Sequence, residues 1–104
     1  MPIYASAEDL NSIEIRNNEV LKKPGKIYVY ENYLLVNDVA KGIHIFDKTD
    51  IANPKEVSFI AIDGNIDFSV KGGILYADNV RDMVIIDISI PETPVFKNRL
   101  TNVF

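Results

Sequence analysis

Two consecutive segments of the chain, residues 25–64 and 65–104, align with each other at a constant offset of 40 residues without a gap. Five positions are identical between them: Leu35, Asp38, Ile45, Asp47 and Pro54 recur as Leu75, Asp78, Ile85, Asp87 and Pro94. A fixed period near 40 residues with strand-like composition is typical of β-propeller blades and related β repeats. The alternative is two unrelated hairpins of similar length.

Each repeat contains four short segments rich in Val, Ile, Tyr and Phe, which predict β-strands separated by turns. They are residues 26–30, 33–36, 43–46 and 57–62 in the first repeat and 66–70, 73–77, 83–88 and 95–100 in the second. Four antiparallel strands per unit is the number found in a propeller blade. The third strand is the most apolar in both repeats, so we expect both of its faces to be buried between neighbouring blades.

Residues 1–24 do not share the repeat. Ser6 is followed three residues later by Asp9, which resembles a helix-capping box, and Leu10 and Ile13 are spaced to dock a short helix on the sheet. The predicted fold is therefore all-β with a short N-terminal helix. It comprises an arm at residues 1–24 and two four-stranded antiparallel β-propeller-blade-like repeats at residues 25–64 and 65–104.

The composition excludes several classes of function. The net charge is −4 and no stretch is rich in Lys or Arg, which argues against binding to nucleic acid or to a membrane surface. No run of 18 apolar residues predicts a membrane span. The chain has no cysteine, which removes disulfides, thiolate nucleophiles and cysteine-ligated metal sites but leaves the compartment open. We expect no cofactor.

The third strands resemble the LVIVD repeat. Residues 42–47 read GIHIFD and residues 83–89 read MVIIDIS, and each segment precedes a loop that contains proline. The resemblance covers residues 25–104, and His44 departs from its aliphatic pattern. LVIVD repeats are blade-like β units of exported bacterial proteins, many of them surface lipoproteins, and are generally regarded as non-enzymatic. The resemblance therefore implies an extracellular or cell-surface location, with this chain as a mature or trimmed N-terminal portion.

The predicted function is a non-catalytic scaffold for binding or structure at the bacterial cell envelope. The alternative is part of a propeller enzyme whose active site is completed by blades absent from this chain. In that case Asp38 and Asp78, which recur at the repeat offset, would lie at one end of the assembly and carry out acid–base work. Binding of a cation or a basic partner at that end is a further alternative. If they instead bond to backbone amides, they stabilise turns, and we expect them to cap the hairpin that leads into the third strand.

The other repeated acids, Asp47 and Asp87, end the third strand and precede a hydroxyl residue two positions later. This spacing favours an Asx turn, in which the carboxylate accepts backbone N–H groups. A Ca²⁺ site is the alternative, although no D-x-D-x-D-G spacing supports it.

His44 is the only histidine, so it cannot form a usual zinc site, and no nucleophile motif supplies a catalytic triad. We expect a packed, hydrogen-bonded side chain, with Asp50 as one conceivable partner.

The aromatic side chains are predicted to lie mostly in the core, and a carbohydrate-binding surface is the alternative. They are Tyr28, Tyr30, Tyr33, Phe59, Phe68 and Tyr76. Tyr28 and Tyr30 share one face of a strand, which we expect either to lie under the arm or to form an exposed patch. Two blades alone leave apolar flanks, which predicts self-association or binding of another protein.

Overall fold

The computed structural model describes residues 13–16 and 21–103. The elements in these residues are all β-strands. They are β1 (Ile13–Arg16), β2 (Pro24–Tyr30), β3 (Tyr33–Asp38), β4 (Gly42–Asp47), β5 (Lys55–Ile62), β6 (Phe68–Lys71), β7 (Ile74–Asn79), β8 (Asp82–Asp87) and β9 (Val95–Leu100). A helix with the length and hydropathy to span a membrane is not found among the described residues.

The strands form two antiparallel sheets, in which β2–β5 and β6–β9 are each connected in chain order, and β1 is added beside β5. The first sheet has the order β1-β5-β4-β3-β2 and the second the order β6-β7-β8-β9. We call strands β2–β5 blade 1 and strands β6–β9 blade 2. The predicted all-β class with two four-stranded antiparallel repeats is confirmed. The predicted helix start at Ser6 lies outside the described residues, and Ile13 begins β1, which adds a fifth strand to the first sheet.

The hairpins form where turn residues interrupt the β-forming segments. Glu31 has a positive φ of 53° in the turn between β2 and β3, and Gly72 and Gly73 have φ values of 59° and 76° in the corresponding turn of blade 2. Positive φ at this position matches the right-handed twist of the flanking strands. The fourth strand of each blade then follows a longer loop that contains the repeated proline.

An apolar cluster of the described residues lies between the two blades. Blade 1 contributes Leu35, Ile43, Ile45, Ile60 and Ile62, and blade 2 contributes Phe68, Leu75, Ala77, Val84, Ile86 and Ile88. Directly opposite residues on antiparallel strands share a face of the sheet. The pairs Leu35↔Ile45 and Leu75↔Ile86 therefore mark the two faces that meet. The blades stack face to face, as blades do in a propeller.

The prediction that the third strand is buried on both faces is correct for β4 and wrong for β8. Residues 42–45 of β4 are all buried. In β8, Val84 and Ile86 are buried while Met83 and Ile85 are only half-buried. Their face of blade 2 has no neighbouring sheet among the described residues, so the alternation of a half-covered strand returns.

The constant repeat offset is also broken at one point. Leu35 pairs with Ile45 in blade 1, whereas Leu75 pairs with Ile86 rather than Ile85 in blade 2. The hairpin between β3 and β4 has three connecting residues, 39–41, and that between β7 and β8 has two, 80–81. Strand β7 is therefore shifted by one residue against β8 relative to blade 1.

Gly42 is the glycine at which a side chain would clash most severely with the neighbouring backbone. Its φ is 148°, and a Cβ there would lie 2.0 Å from the backbone oxygen of Ile60.

We predict that Gly42→Ala lowers the free energy of unfolding by about 3 kcal/mol or more, because β4 and β5 must separate. Gly72→Ala is the matched control, since Gly72 has φ 59° and open space around it, and we expect a loss of about 1 kcal/mol. Urea unfolding of both variants checks this, and equal losses would contradict it.

Candidate functional site

The connecting segments at one end of the blades form a continuous surface, which we call the linker end. It consists of residues 39–41, 63–67, 80–81 and 101–103. Backbone hydrogen bonds join its parts: the Ala40 N–H donates to Asn65 O at 2.7 Å, and the Val103 N–H donates to Arg81 O at 3.0 Å. The repeated acids Asp38 and Asp78 lie where β3 and β7 reach this end.

Asp38 holds the segment that leads into β2. Its buried carboxylate accepts hydrogen bonds from the backbone N–H groups of Lys23 at 2.9 Å and Lys22 at 3.2 Å, and it contacts His44 Nε2 at 3.1 Å. Burial alone raises the pKa of Asp38, but these three hydrogen bonds outweigh it and hold the pKa below its usual value. The hydrogen bonds by which Asp38 holds the backbone of Lys22 and Lys23 therefore keep its carboxylate ionised.

Asp78 does the same for the linker between the blades. Its Oδ1 accepts from the backbone N–H groups of Ile66 at 2.8 Å and Asp67 at 3.0 Å, and from the Asn65 side chain at 2.8 Å. Both acids thus bond to backbone amides, as the structural alternative predicts, but the expectation that they cap the following hairpin is wrong. They hold the strand entry of each blade rather than the hairpin that follows them.

Asn65 connects the two blades through its side chain, which is fully buried. Its Oδ1 accepts from Asn37 Nδ2 of blade 1 at 2.7 Å, and its Nδ2 donates to Asp78 Oδ1 and to the carbonyl oxygens of Asp67 and Asp78 at 2.9 Å each. Asn37 also donates to Gly42 O at 3.1 Å. Because amide oxygen and nitrogen have opposite roles, this chain of hydrogen bonds fixes the orientation of Asn65 and the position of the linker.

His44 is enclosed between two carboxylates in blade 1. It is fully buried, Nε2 contacts Asp38, and Nδ1 forms a short contact with Glu56. The ring also packs on Phe59, with the centroids 4.5 Å apart. The expected packed and hydrogen-bonded histidine is confirmed, but the suggested partner Asp50 is wrong. Asp50 lies on the loop after β4 and accepts from the Ala52 N–H at 3.1 Å.

Asp47 and Asp87 form the predicted Asx turns. Each accepts a backbone N–H two residues later, from Thr49 and Ser89 respectively, at 2.8 Å. The hydroxyl and N–H of Thr49 hold the pKa of Asp47 below its usual value, and Ser89 has the same effect on Asp87. Among the described residues, no group of three or more His, Asp or Glu side chains is placed to hold a metal ion.

The aromatic side chains mostly belong to the core, as predicted. Phe59 and Phe68 are buried, and Tyr28, Tyr30 and Tyr33 pack against the inter-blade cluster. Tyr28 and Tyr30 thus lie on neither of the two surfaces that we expected for them. Tyr33 also donates its hydroxyl to Glu92 of blade 2 at 2.5 Å, and this hydrogen bond, with burial, raises the pKa of Tyr33 to about 12.

A cavity of about 220 Å³ opens on blade 2 beside its inner strand β6. Its walls are Lys26, Asp67, Phe68, Ser69, Tyr76, Asp78 and Met83. Ser69 pairs with Tyr76 on β7, as Tyr28 pairs with Leu35 in blade 1. The space therefore exists because a small serine occupies in blade 2 the position that a tyrosine fills in blade 1.

Sequence reasoning identified the repeated acids but missed the amides and Glu56. Asn37 directly precedes Asp38 and Asn65 follows Gly64 in the linker, so the adjacent polar residues were available as a signal. The repeat did not reveal them because Asn37 aligns with Ala77, and Glu56 has no acidic counterpart at position 96.

Two stacked four-stranded antiparallel blades, each connected in chain order and joined by a linker that side-chain hydrogen bonds hold in place, define an all-β repeat protein. The model of the LVIVD repeat matches residues 23–62 and 66–102. The chain therefore belongs to the LVIVD-repeat family, with two repeats. Among curated proteins and solved structures, no significant match to the chain was found.

The lowered pKa of Asp38 makes a prediction about acid stability. Its contribution is fully present above the unfolded-state value near 3.8 and is lost as the pH falls through the lower native pKa. We expect Asp38→Asn to lower the free energy of unfolding by about 2 kcal/mol near neutral pH and by less under acidic conditions. Urea unfolding between neutral and acidic pH measures the difference. Asp50→Asn on the exposed loop is the control, and a difference that does not change with pH would contradict the prediction.

The role of Asn65 predicts an unusually large effect for a small substitution. Asn65→Asp replaces the donor that faces Asp78 Oδ1 at 2.8 Å with a second acceptor, so two carboxyl groups would meet in a buried place. We expect a loss of about 3 kcal/mol near neutral pH, with partial recovery on acidification. Asn65→Ala removes the same hydrogen bonds without adding charge and should show no such recovery. Thermal unfolding across pH would contradict this if both variants behaved alike.

Proposed function

We propose that the chain is a non-catalytic β-repeat scaffold that presents its linker end to a protein partner at the bacterial cell envelope. The observation that carries this proposal is the use of the repeated acids. Asp38, Asp47, Asp78 and Asp87 all accept backbone N–H groups, and in this arrangement they hold loops rather than a reacting group.

The same hydrogen bonds pre-organise the surface that surrounds them. Ile66 and Val80 of the linker end have exposed fractions of 55% and 69%, although their backbone is held by Asp78 and by the tight hairpin of blade 2. Val103 beside Arg81 is also exposed. Exposed apolar side chains on a rigid backbone favour association, because little conformational entropy is lost on binding.

The alternative of a propeller enzyme receives less support from this geometry. A catalytic acid needs a proton that substrate can reach and a pKa near the working pH. Asp38 is buried with its pKa lowered, and Asp78 is occupied by three N–H donors. The envelope location rests on the LVIVD family alone, whose members are known from exported bacterial proteins.

The experiment places a photoreactive residue at Val80 and follows its cross-links in the cells that produce the protein. We expect the protein to fractionate with the cell envelope and Val80→p-benzoylphenylalanine to form one discrete adduct. The matched control is the same replacement at Ile51, which is 82% exposed on a loop at the opposite end of blade 1. Cytosolic fractionation would contradict the location, and equal adducts from both positions would contradict recognition by the linker end.

A further inference from the structure

The cavity beside β6 is lined partly by apolar and partly by charged side chains. Phe68, Tyr76 and Met83 give it apolar surface, and Lys26 and Asp78 bring charged groups to the rest of its wall. Its volume of about 220 Å³ is below the range of about 300–1,000 Å³ that is usual for drug-sized ligands, so it has room for a single small ring. Apolar walls with a few polar groups are typical of small-molecule sites.

The cationic group of the cavity comes from the other blade. Lys26 on β2 extends its ammonium to blade 2, where Nζ donates to the Phe68 carbonyl oxygen at 2.5 Å and forms an ion pair with Asp67 Oδ1 at 3.2 Å. The same nitrogen lies 5.4 Å from the centre of the Phe68 ring. These contacts hold the ammonium in place, while the Lys26 side chain is 41% exposed and can be reached by a ligand.

Several polar atoms around the cavity have no hydrogen-bond partner among the described residues. Asp78 uses Oδ1 for its three hydrogen bonds from N–H groups, which leaves Oδ2 free, and Asp67 likewise uses Oδ1 alone. The hydroxyl groups of Ser69 and Tyr76 also form no hydrogen bond within this part of the chain. Unused acceptors and hydroxyls beside an apolar wall are the groups that bind and orient a ligand.

The charges around the cavity argue against two kinds of ligand. The carboxylates of Asp67 and Asp78 repel an anion such as phosphate, and the Lys26 ammonium repels a cationic amine. Carboxylates only accept hydrogen bonds and an ammonium only donates them, so the ligand that satisfies both is neutral and carries donors and acceptors. Sugars have this chemistry, because the hydroxyls of a pyranose ring donate and accept, and the C–H groups of its face pack against apolar side chains.

We propose that this cavity binds one pyranose unit of a neutral saccharide. One face of the ring packs on Tyr76 and Met83, and the Tyr76 hydroxyl bonds to the ring edge. Asp78 Oδ2 accepts from the hydroxyls of the sugar, and Lys26 Nζ donates to them. This ligand goes beyond the protein partner proposed for the linker end.

The first test is a titration of the isotope-labelled protein, followed by its amide NMR spectrum. The probes are the methyl glycosides of glucose, galactose and mannose, and N-acetylglucosamine, at concentrations above the dissociation constant of about 1 mM that a ligand of this size allows. We expect at least one of them to shift the amide signals of Ser69, Tyr76 and Asp78 saturably. Methylammonium and inorganic phosphate are the charged probes and should not do so. Absence of any saccharide-induced shift, or stronger binding of either charged probe, would overturn the proposal.

A variant that fills the cavity separates binding at this site from weak binding elsewhere. Ser69→Tyr introduces the side chain that Tyr28 supplies at the corresponding position of blade 1, so the sheet has a precedent for it. We expect Ser69→Tyr to abolish the shifts, and Tyr76→Phe to weaken binding by roughly two- to tenfold through the loss of one hydrogen bond. Tyr33→Phe is the matched control, because Tyr33 begins β3 at the other end of blade 1, and it should leave binding unchanged.

The controls separate folding from binding. Circular dichroism and the dispersion of the amide spectrum check the fold, and Ser69→Leu replaces Ser69→Tyr if that variant fails to fold. Unchanged saccharide binding in a folded Ser69 variant would contradict the proposal, as would equal losses in Tyr76→Phe and Tyr33→Phe. The Val80 cross-link remains an independent readout of the proposed function, because Val80 lies outside the cavity wall.

Discussion

The contact between the two blades is the interaction on which the structure depends. Neither sheet has an apolar interior of its own, so each blade is stable only when a face is covered. Leu35, Ile45 and Ile60 are fully buried in this contact, and full burial of a side chain of this size contributes about 2 kcal/mol. The apolar faces decide that the sheets stack, but such contacts are non-directional and tolerate sliding.

Directional hydrogen bonds decide how the stacked blades are placed. Asn65 accepts from blade 1 and donates to blade 2, and Asp78 accepts from the backbone N–H groups of Ile66 and Asp67, the two residues after Asn65. A shift of the linker would leave buried amide groups without partners, at a cost of about 1–3 kcal/mol for each. Polar side chains that the sequence suggests as catalytic candidates therefore hold backbone segments in place in this structure. These hydrogen bonds hold the backbone of the linker end in place, and the exposed side chains of Ile66 and Val80 take no part in them.

Much of this fold could be predicted from the sequence, because its main determinants are local. All eight strands of the two blades follow from β-forming segments separated by turn residues, and the Asx turns follow from Asp47 and Asp87 with their hydroxyl partners. The one-residue shift of β7 could not be predicted, since the alignment of Leu35 with Leu75 is satisfied whichever residue of β8 lies opposite. The site depended on long-range contacts: Glu56 reaches His44 only because β5 lies beside β4, and Asn65 joins residues from both repeats.

The pairing of β1 with β5 has a consequence for the order of assembly. Ile13 on β1 pairs with Ile62 on β5, although β2, β3 and β4 lie between these two strands in the sequence. Every other pair of strands joins neighbours in the chain. During synthesis residues 13–16 leave the ribosome before blade 1, yet their partner strand emerges only after β2, β3 and β4 have been made. Closing this long loop costs more entropy than closing any hairpin, so β1 is expected to join the sheet late. Strand β1 would then be among the last of the described strands to reach its native place.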